Sequence, residues 1–390
     1  MTFSEFEILC SEQVRRVIDE NIDRDPVQIA LDRRIEHASL VATQVKRLQR
    51  AKSKLPSYYA VRAILPPRAY EQSSSEQCAA HKALSGTSAL DLTCGLGVDS
   101  LALSRNFERV VACECDEVLA AVTRYNLKLL GVENVEVKNC TAEEFLSSTT
   151  EHFDWIFVDP DRRGERGEKL VLLEDCSPDM VALYPRAMEV ADRLCIKCSP
   201  LFDVAEAERK FGDCSVEVLS LGGECKQVNI YVDGRAPKLM ATAVDGSHFE
   251  IDRCDVARFG FSLPATDFSH YRYLILPDVS LLHARLVAAA FAQVGDVWSH
   301  SGVVLCGRAP EGVLGRVFEI ERVVDFGSKE LKRELKGRRV EIYRRDFPLS
   351  NGDIAKKLSI KEGGAERWCF TSICGRLLAI KINPLNPSLH

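Results

Sequence analysis

The sequence predicts an α/β fold in which a doubly wound, mostly parallel sheet carries helices on both faces. From residue 89 onward, short apolar runs alternate with helical segments, and the strand-like runs are 89–92, 110–113, 135–137, 155–158 and 194–196. The segment 117–130 between two of these runs has helical character and is closed by Gly131, a suitable C-cap. Strand–helix alternation of this kind is typical of a parallel sheet covered on both sides.

Composition narrows the classes of protein. The chain has 390 residues, 46% of them hydrophobic, and a net charge of −6, so any nucleic-acid contact must be a local basic patch. The N-terminus is acidic where a secretory signal would be basic, and no apolar run reaches the roughly 18 residues of a membrane span. The 15 cysteines are scattered, without two C-x-x-C motifs at zinc-site spacing. We therefore expect a reduced, cytoplasmic chain that neither associates with a membrane nor binds a metal. Its oligomeric state stays open.

Four regions follow from the changes in pattern along the chain. Residues 1–70 are predicted as a helical N-terminal region, with breaks at Pro56 and at Pro66-Pro67. Residues 71–245 form the predicted sheet domain, whose late strand 228–232 is expected to run antiparallel. Residues 246–325 are predicted as a small α+β, ferredoxin-like module with one helix from Leu281 to Val294, and residues 326–390 as a further unit.

The motif that indicates chemistry follows the first strand of the sheet. Asp91-Leu-Thr-Cys-Gly95-Leu-Gly97 ends a strand and opens a helix, and its glycines let a ligand approach the backbone beside free N–H groups. The next strand ends at Glu114, where a doubly wound domain binds ribose hydroxyls. An ordinary tight turn and a surface acid are the alternatives, but the two features together favour a nucleotide site.

The absence of a third glycine from the turn indicates which type of nucleotide it binds. Dinucleotide enzymes carry G-x-G-x-x-G, whereas Ser100 stands here at the position of the third glycine. The leading Asp91 instead suits the ammonium group of S-adenosylmethionine. The chain therefore resembles the class I methyltransferases, a Rossmann-like family.

Further motifs narrow the resemblance. They are, in chain order, Lys54-Leu-Pro56, Glu71-Gln-Ser-Ser-Ser75-Glu76, the glycine turn, Asp159-Pro160-Asp161-Arg162-Arg163, Glu174-Asp-Cys-Ser-Pro178 and Lys197-Cys198-Ser-Pro200. Together they resemble bacterial class I S-adenosylmethionine-dependent methyltransferases that end in a THUMP-like domain. The resemblance implies an RNA substrate, such as tRNA or another structured RNA, because THUMP domains are associated with RNA binding.

The resemblance also implies a role for each site residue. Ser75 and Glu76 would lie near the methionine end of the cofactor, and Asp91, Gly95 and Gly97 would line its amino-acid portion. Glu114 would bind the ribose. Thr141 stands at the tip of the third strand, where the family has an acid for the adenine amine, and would accept one hydrogen bond there.

The segment Asp159-Pro160 would present the acceptor to the methyl group. An aspartate before proline also favours a plain turn, but the tip of the fourth strand is where these enzymes carry their Asp/Asn-Pro motif. Asp159 and the Pro160 carbonyl would accept N–H bonds from an exocyclic amine. Arg162 replaces the usual aromatic residue and could stack on a base, and Arg163 could bind phosphate.

Three other functions stay open. Cys198-Ser-Pro200 is similar to the cysteine motif of RNA 5-methyluridine methyltransferases, in which the cysteine attacks the pyrimidine and activates carbon 5. Thr141 and Arg162 also allow a non-catalytic RNA-binding protein with a vestigial cofactor fold. Methylation of DNA or protein is a third possibility.

The C-terminal region carries local positive charge. From residue 327 to 347 there are eight Lys/Arg and four Asp/Glu. Glu330 and Glu334 are interleaved with Lys332 and Lys336, which could be a solvated helix face with i,i+4 pairs. Two arginine pairs lack such compensation and are predicted to contact RNA phosphates, namely Arg338-Arg339 and Arg344-Arg345.

Overall fold

A computed structural model describes residues 1–82, 84–161, 173–263 and 267–385. The chain forms two compact units, one of Met1–Cys214 with Gln227–Arg235 and one of Ser215–Lys226 with Ala236–His390. Arg162 and Arg163, predicted as site residues, lie outside the described residues.

The helices are α1 (Phe3–Cys10), α2 (Glu12–Glu20), α3 (Pro26–Leu31), α4 (Ala38–Lys54), α5 (Pro56–Ala60), α6 (Pro67–Gln72), α7 (Glu76–Ala80), α8 (Val98–Leu103), α9 (Glu117–Leu129), α10 (Ala142–Ser148), α11 (Met180–Val190), α12 (Val204–Phe211), α13 (Val279–His283), α14 (Val287–Phe291), α15 (Lys329–Leu335) and α16 (Asn351–Leu358). Two 3-10 helices span Leu173–Asp175 and Arg253–Arg258. Within the described ranges, no helix is long and apolar enough to cross a membrane.

The strands are β1 (Gly86–Asp91), β2 (Phe107–Glu114), β3 (Val135–Asn139), β4 (Phe153–Val158), β5 (Ala191–Cys198), β6 (Ser215–Leu221), β7 (Glu224–Val232), β8 (Lys238–Ala243), β9 (His248–Asp252), β10 (Tyr273–Pro277), β11 (Asp296–Val297), β12 (Val304–Cys306), β13 (Gly315–Asp325), β14 (Arg339–Arg345), β15 (Lys361–Glu362), β16 (Glu366–Ile373) and β17 (Arg376–Pro384).

The first unit contains the predicted doubly wound sheet. Its strands lie in the order β3-β2-β1-β4-β5-β7. Strands β1 to β5 pair in parallel, and β7 pairs antiparallel with β5, as the sequence predicts for residues 228–232. The strand order reverses between β1 and β4, so the carboxyl ends of these two strands border the crevice where such sheets bind ligands. The predicted α/β fold class is confirmed.

The N-terminal helices pack directly on this sheet domain. Their buried side chains share one hydrophobic cluster with the glycine turn and with α9. The Asn126 amide exchanges two hydrogen bonds with the backbone of Ile64, each 2.8 Å long. The buried Tyr58 hydroxyl donates to the carbonyl of Leu96, 3.1 Å away. These helices therefore form one wall of the region around the glycine turn.

The second unit contains the C-terminal strands. In it β6 pairs in parallel with β8, and β8 pairs antiparallel with β9. A separate eight-stranded sheet has the order β11-β12-β10-β13-β17-β16-β14-β15. Helices α15 and α16 cover one face of this sheet through a cluster that includes Leu331, Ile354 and Trp368. Strand β13 ends at Asp325, the last residue of the predicted third region. The domain boundaries at 70, 245 and 325 remain predictions.

Candidate active site

The candidate site lies at the carboxyl ends of β1, β2, β4 and β5. The turn after β1 and the tip of β4 are held together by two hydrogen bonds. The Leu92 amide donates to the carbonyl of Phe157 over 3.0 Å, and the Asp159 amide donates to the Thr93 hydroxyl over 2.7 Å. The predicted cofactor turn and the predicted acceptor segment are therefore neighbours at the switch point of the sheet.

Asp91 is completely buried at the end of β1. One carboxylate oxygen accepts from the Thr93 amide at 3.0 Å, and the other accepts from the Ser100 hydroxyl at 2.6 Å. Burial raises the pKa of this carboxyl, and the two hydrogen bonds lower it by a smaller amount. The resulting pKa is about 7. In the structure Asp91 therefore ties the strand end to the start of α8, and its predicted contact with an ammonium group remains a prediction.

The two glycines of the turn serve different purposes. Both have left-handed backbones, with φ of +53° at Gly95 and +82° at Gly97. A Cβ atom at Gly97 would lie 2.8 Å from a methyl carbon of Thr123, so close packing requires glycine there. A Cβ atom at Gly95 would meet nothing closer than 4.0 Å. Gly95 therefore leaves space on the side of the turn where a ligand could approach.

Glu114 reaches the glycine turn from the neighbouring strand. One of its oxygens accepts from the Gly95 amide at 3.0 Å, and the other accepts from the Asp116 amide at 2.8 Å. The side chain is largely buried, and burial raises its pKa. Gly95 and Glu114 are thus in direct contact, and their predicted cofactor roles remain predictions.

The β4 tip is held by an ion pair that the sequence analysis did not predict. The ammonium group of Lys197, near the end of β5, pairs with the Asp159 carboxylate and donates to the Ser74 hydroxyl at 2.8 Å. Its distance to the Asp99 carboxylate is 3.9 Å. Asp99 also pairs with Lys82. A lysine at the end of a buried strand was the available signal.

Neighbouring cations hold the pKa of the Asp99 carboxyl below its ordinary value. Burial would raise the pKa of its carboxyl, but the Lys82 and Lys197 ammonium groups and the Ser74 hydroxyl lower it to about 2. Nearby, burial and the charge of Lys197 lower the pKa of Lys54 to about 8. This part of the site therefore holds several charges in a largely dehydrated space.

Both neighbours of Pro160 are fixed by side chains of other elements. Pro160 is buried. Asp161 accepts from Arg68 at 2.8 Å and from Gln72 at 3.2 Å, and both donors belong to α6. Asp161 and Ser177 also exchange two backbone hydrogen bonds. The segment that the sequence singles out is thus anchored on both sides.

Three predicted cofactor residues act as structural caps or ties. Ser75 caps α7 by accepting from the Cys78 amide, and Thr141 forms a capping box with Glu144. The Glu76 carboxylate accepts from the amide and hydroxyl of Ser57 at 2.8 and 2.7 Å. These contacts explain the residue types locally, and the predicted cofactor roles of the three remain predictions.

Cys198, the candidate nucleophile, is 1% exposed at the end of β5. Its Cα pairs with that of Val228 on the neighbouring strand β7. This burial disfavours attack on a pyrimidine ring and matches the usual behaviour of a buried thiol. The structure therefore does not favour carbon-5 chemistry through this residue.

The predicted arginines of the second unit are partly engaged within the chain. Arg338 pairs with Glu366 at 3.1 Å, and Arg339 donates to the Glu362 carbonyl at 3.3 Å. The Arg344 guanidinium donates to two backbone carbonyls of the following loop at 3.3 Å. Arg345 is partly buried, and burial lowers its pKa. Their contact with a polyanion remains a prediction.

The fold is the Rossmann-like fold of class I methyltransferases. The structure superposes on that of a proposed methyltransferase from Porphyromonas gingivalis W83 with a TM-score of 0.84, covering 99% of this chain and 100% of the other at 23% identity. At that identity the likeness concerns the fold.

Two family profiles specify parts of the chain further. Residues 315–381 match the profile "THUMP domain-like", so this segment is a THUMP-like domain. Residues 74–174, which include the glycine turn, Glu114 and Asp159, match "Conserved hypothetical protein 95". The predicted combination of a methyltransferase-type fold with a C-terminal THUMP-like domain is therefore confirmed.

Curated relatives match a shorter segment. The tRNA/tmRNA (uracil-C(5))-methyltransferase of Pectobacterium carotovorum subsp. carotovorum is 36% identical over 126 residues, which cover 28% of this chain and 30% of the relative. The enzyme of the same name from Shigella flexneri serotype 5b is 32% identical over 138 residues, covering 31% and 36%. The chain thus spans about a third of the length of these relatives.

We expect Asp91→Asn to flatten the pH dependence of folding stability between about pH 4 and 7. The carboxyl pKa rises from its ordinary value of 3.8 to about 7 on folding, so unfolding releases a proton in this window. The wild type should therefore lose stability as pH rises, by up to roughly 4 kcal/mol, and lose no more above pH 7. Urea unfolding at several pH values measures this, with exposed Asp23→Asn as control. Parallel profiles for wild type and Asp91→Asn would contradict the expectation.

Proposed function

We propose that the protein is an S-adenosylmethionine-dependent methyltransferase that acts on RNA. The observation that carries the proposal is the meeting of three elements at the switch point of the sheet. Gly95 contacts Glu114 through a 3.0 Å hydrogen bond, and Thr93 of the same turn contacts Asp159 through one of 2.7 Å. The similarity to proteins named tRNA/tmRNA methyltransferases supports the proposal.

The cofactor supplies a methyl group on a positively charged sulfur. Gly95 and Gly97 would let its amino-acid portion approach the backbone, and the Glu114 carboxylate would bind the ribose hydroxyls. We assign Ser75, Glu76 and Asp91 to the surroundings of the methionine end. Thr141 would contact the adenine from the tip of β3.

Asp159 and the Pro160 carbonyl would orient the acceptor. Methyl transfer is an in-line displacement, so the main task of the protein is to hold the nucleophile and the methyl carbon in line. Two acceptors that bind the N–H groups of a base amine direct its lone pair toward the methyl group. Arg162 would stack on the base and Arg163 would bind a neighbouring phosphate.

Structured RNA such as tRNA is the substrate that we favour. The relatives are named for tRNA and tmRNA, and the second unit carries a THUMP-like domain. We do not adopt the carbon-5 chemistry in the relatives' names, because Cys198 is buried. The 15 cysteines are scattered along the sequence, which supports a reducing, cytoplasmic location.

A basic surface at the ends of α15 and α16 would contact the RNA backbone. The two helix ends meet where the Gly337 amide donates to the Ser359 carbonyl over 2.8 Å. Glu330 and Glu334 both pair with Arg322, and not with the lysines of their own helix. The exposed cations around this point are Lys332, Arg333, Lys336, Lys356, Lys357 and Lys361. We expect them to supplement the Arg338-Arg339 and Arg344-Arg345 pairs as phosphate contacts.

Calorimetry with S-adenosylmethionine tests the cofactor site. Glu114→Gln should weaken binding by about 10- to 100-fold, because a hydrogen bond to a charged group contributes roughly 1.5–3 kcal/mol. Glu117→Gln, an exposed acid at the start of α9, is the matched control and should bind as the wild type does. If the wild type gives no heat at millimolar cofactor, the enzyme proposal fails and a vestigial fold is favoured.

RNA from cells that lack the gene provides the substrate test. The wild type should transfer a labelled methyl group to this RNA, and mass spectrometry of the nucleosides should find a base methylated at nitrogen. Cys198→Ser should retain this activity, and Asp159→Asn should lower it by about 10²-fold because the acceptor is no longer oriented. A 5-methyl pyrimidine together with an inactive Cys198→Ser variant would establish carbon-5 chemistry instead. Label found only in DNA or protein would refute the RNA assignment.

The basic surface predicts a change in salt dependence. Replacing Lys332, Arg333 and Lys356 by Gln should make log affinity for a total tRNA fraction depend less steeply on log salt. The slope should fall by about 0.7–0.9 for each phosphate that is no longer neutralised. Replacing three exposed cations of the first unit, Arg33, Lys46 and Lys128, is the matched control. Equal slopes for the two triple variants would exclude the surface as an RNA-binding site.

A further inference from the structure

Four charged side chains of alternating sign form a buried row in the first unit. The row consists of Lys82, Asp99, Lys197 and Asp159, and their side chains are 3%, 12%, 6% and 19% exposed. Lys82 pairs with Asp99, and Lys197 pairs with Asp159. The two pairs are joined by the 3.9 Å separation between the Lys197 ammonium and the Asp99 carboxylate.

The members of the row come from separate elements around the candidate site. Lys82 precedes β1, and Asp99 lies in the first turn of α8, directly after the glycine turn. Lys197 is the penultimate residue of β5, and Asp159 follows β4. The row therefore links the glycine turn to the segment that would receive the acceptor.

Lys197 is surrounded by acceptors of the chain itself. An ammonium group has three N–H donors, and the Lys197 group meets Ser74, Asp159 and Asp99. A lysine engaged in this way is poorly suited to bind a ligand. Its principal effect is on Asp159, because a buried carboxylate needs a counter-charge and a fixed hydrogen bond to remain an oriented anion.

We propose that Lys197 is a positioning residue, which holds Asp159 as an oriented carboxylate beneath the methyl donor. The inference rests on the proposed function and extends it. Asp159 would then accept an N–H bond from a neutral base amine. As the nitrogen lone pair forms the N–C bond, the C–S bond breaks and its electron pair returns to sulfur. The methylated nitrogen then releases its extra proton to water, so the Asp159–Lys197 pair stays intact throughout.

The experiment compares Lys197→Met, Lys197→Arg, Asp159→Asn and the Lys197→Met/Asp159→Asn double variant, all in the full chain. Methyl transfer is measured with RNA from cells that lack the gene, and affinity for S-adenosylhomocysteine is measured by calorimetry. Lys197→Met should lower the transfer rate at saturating cofactor by about 10²-fold, as for a displaced reacting group. Its affinity for S-adenosylhomocysteine should stay close to the wild-type value, and Lys197→Arg should recover a large part of the rate.

The double variant distinguishes positioning from general stabilisation. If Lys197 acts through Asp159, the Lys197→Met change should have little further effect on the rate when Asp159 is already Asn. Lys82→Met is the matched control, because it breaks the same row at Asp99 and leaves the Lys197–Asp159 pair in place. It should lower the rate much less than Lys197→Met does. Thermal unfolding identifies any variant that loses rate because it is unfolded at the assay temperature.

Three results would overturn the inference: wild-type rates in Lys197→Met, equal reductions in rate for Lys197→Met and Lys82→Met, or the full Lys197→Met effect in the Asp159→Asn background. A folded Lys197→Met variant that fails to bind S-adenosylhomocysteine would make Lys197 part of the cofactor site and would also refute positioning. Failure of the proposed function is a different result, in which the wild type itself transfers no methyl group to RNA.

Discussion

The buried carboxylate of Asp91 is the constraint on which the site depends. It accepts one hydrogen bond from the turn and one from α8. These bonds tie the end of β1 to the start of the helix, and Gly95 and Gly97 adopt left-handed backbone conformations between these two points. The exposed side of Gly95 and its contact with Glu114 follow from this geometry. Burying this acid costs free energy, and its two hydrogen bonds offset part of that cost.

Much of the fold was predictable because local sequence signals agreed with one another. Alternation of short apolar runs with helical segments predicted the sheet. The same pattern predicted that Glu114 stands at the end of the second strand. The predicted helix from Leu281 to Val294 was wrong in one respect, since it is two helices, α13 and α14. Arg285 adopts a left-handed conformation between them, with φ of +58°. Neither glycine nor proline marks that break, so the pattern gave no signal for it.

The ion pairs of the site were not predictable in the same way. Lys197 and Asp159 are 38 residues apart, and Lys82 and Asp99 are 17 apart. A charge pattern read along the chain detects partners on one helix or strand, whereas these pairs form across elements after the sheet has assembled. For the same reason the sequence did not predict the ion pairs of α15, where Arg322 of β13 pairs with both glutamates of the helix. Lys332 and Lys336 of the same helix are thereby left as net positive charge.

The two aspartates that flank Pro160 are held from different directions. Asp159 is bound by Lys197 of β5, and Asp161 is bound by Arg68 of α6. The Asp161–Arg68 pair is substantially exposed, so it contributes little to stability by itself. Its value is geometric, because a segment anchored on both sides of a proline has little freedom to rotate its peptide groups. The Pro160 carbonyl therefore keeps a fixed direction, which its proposed role in aligning a nucleophile requires.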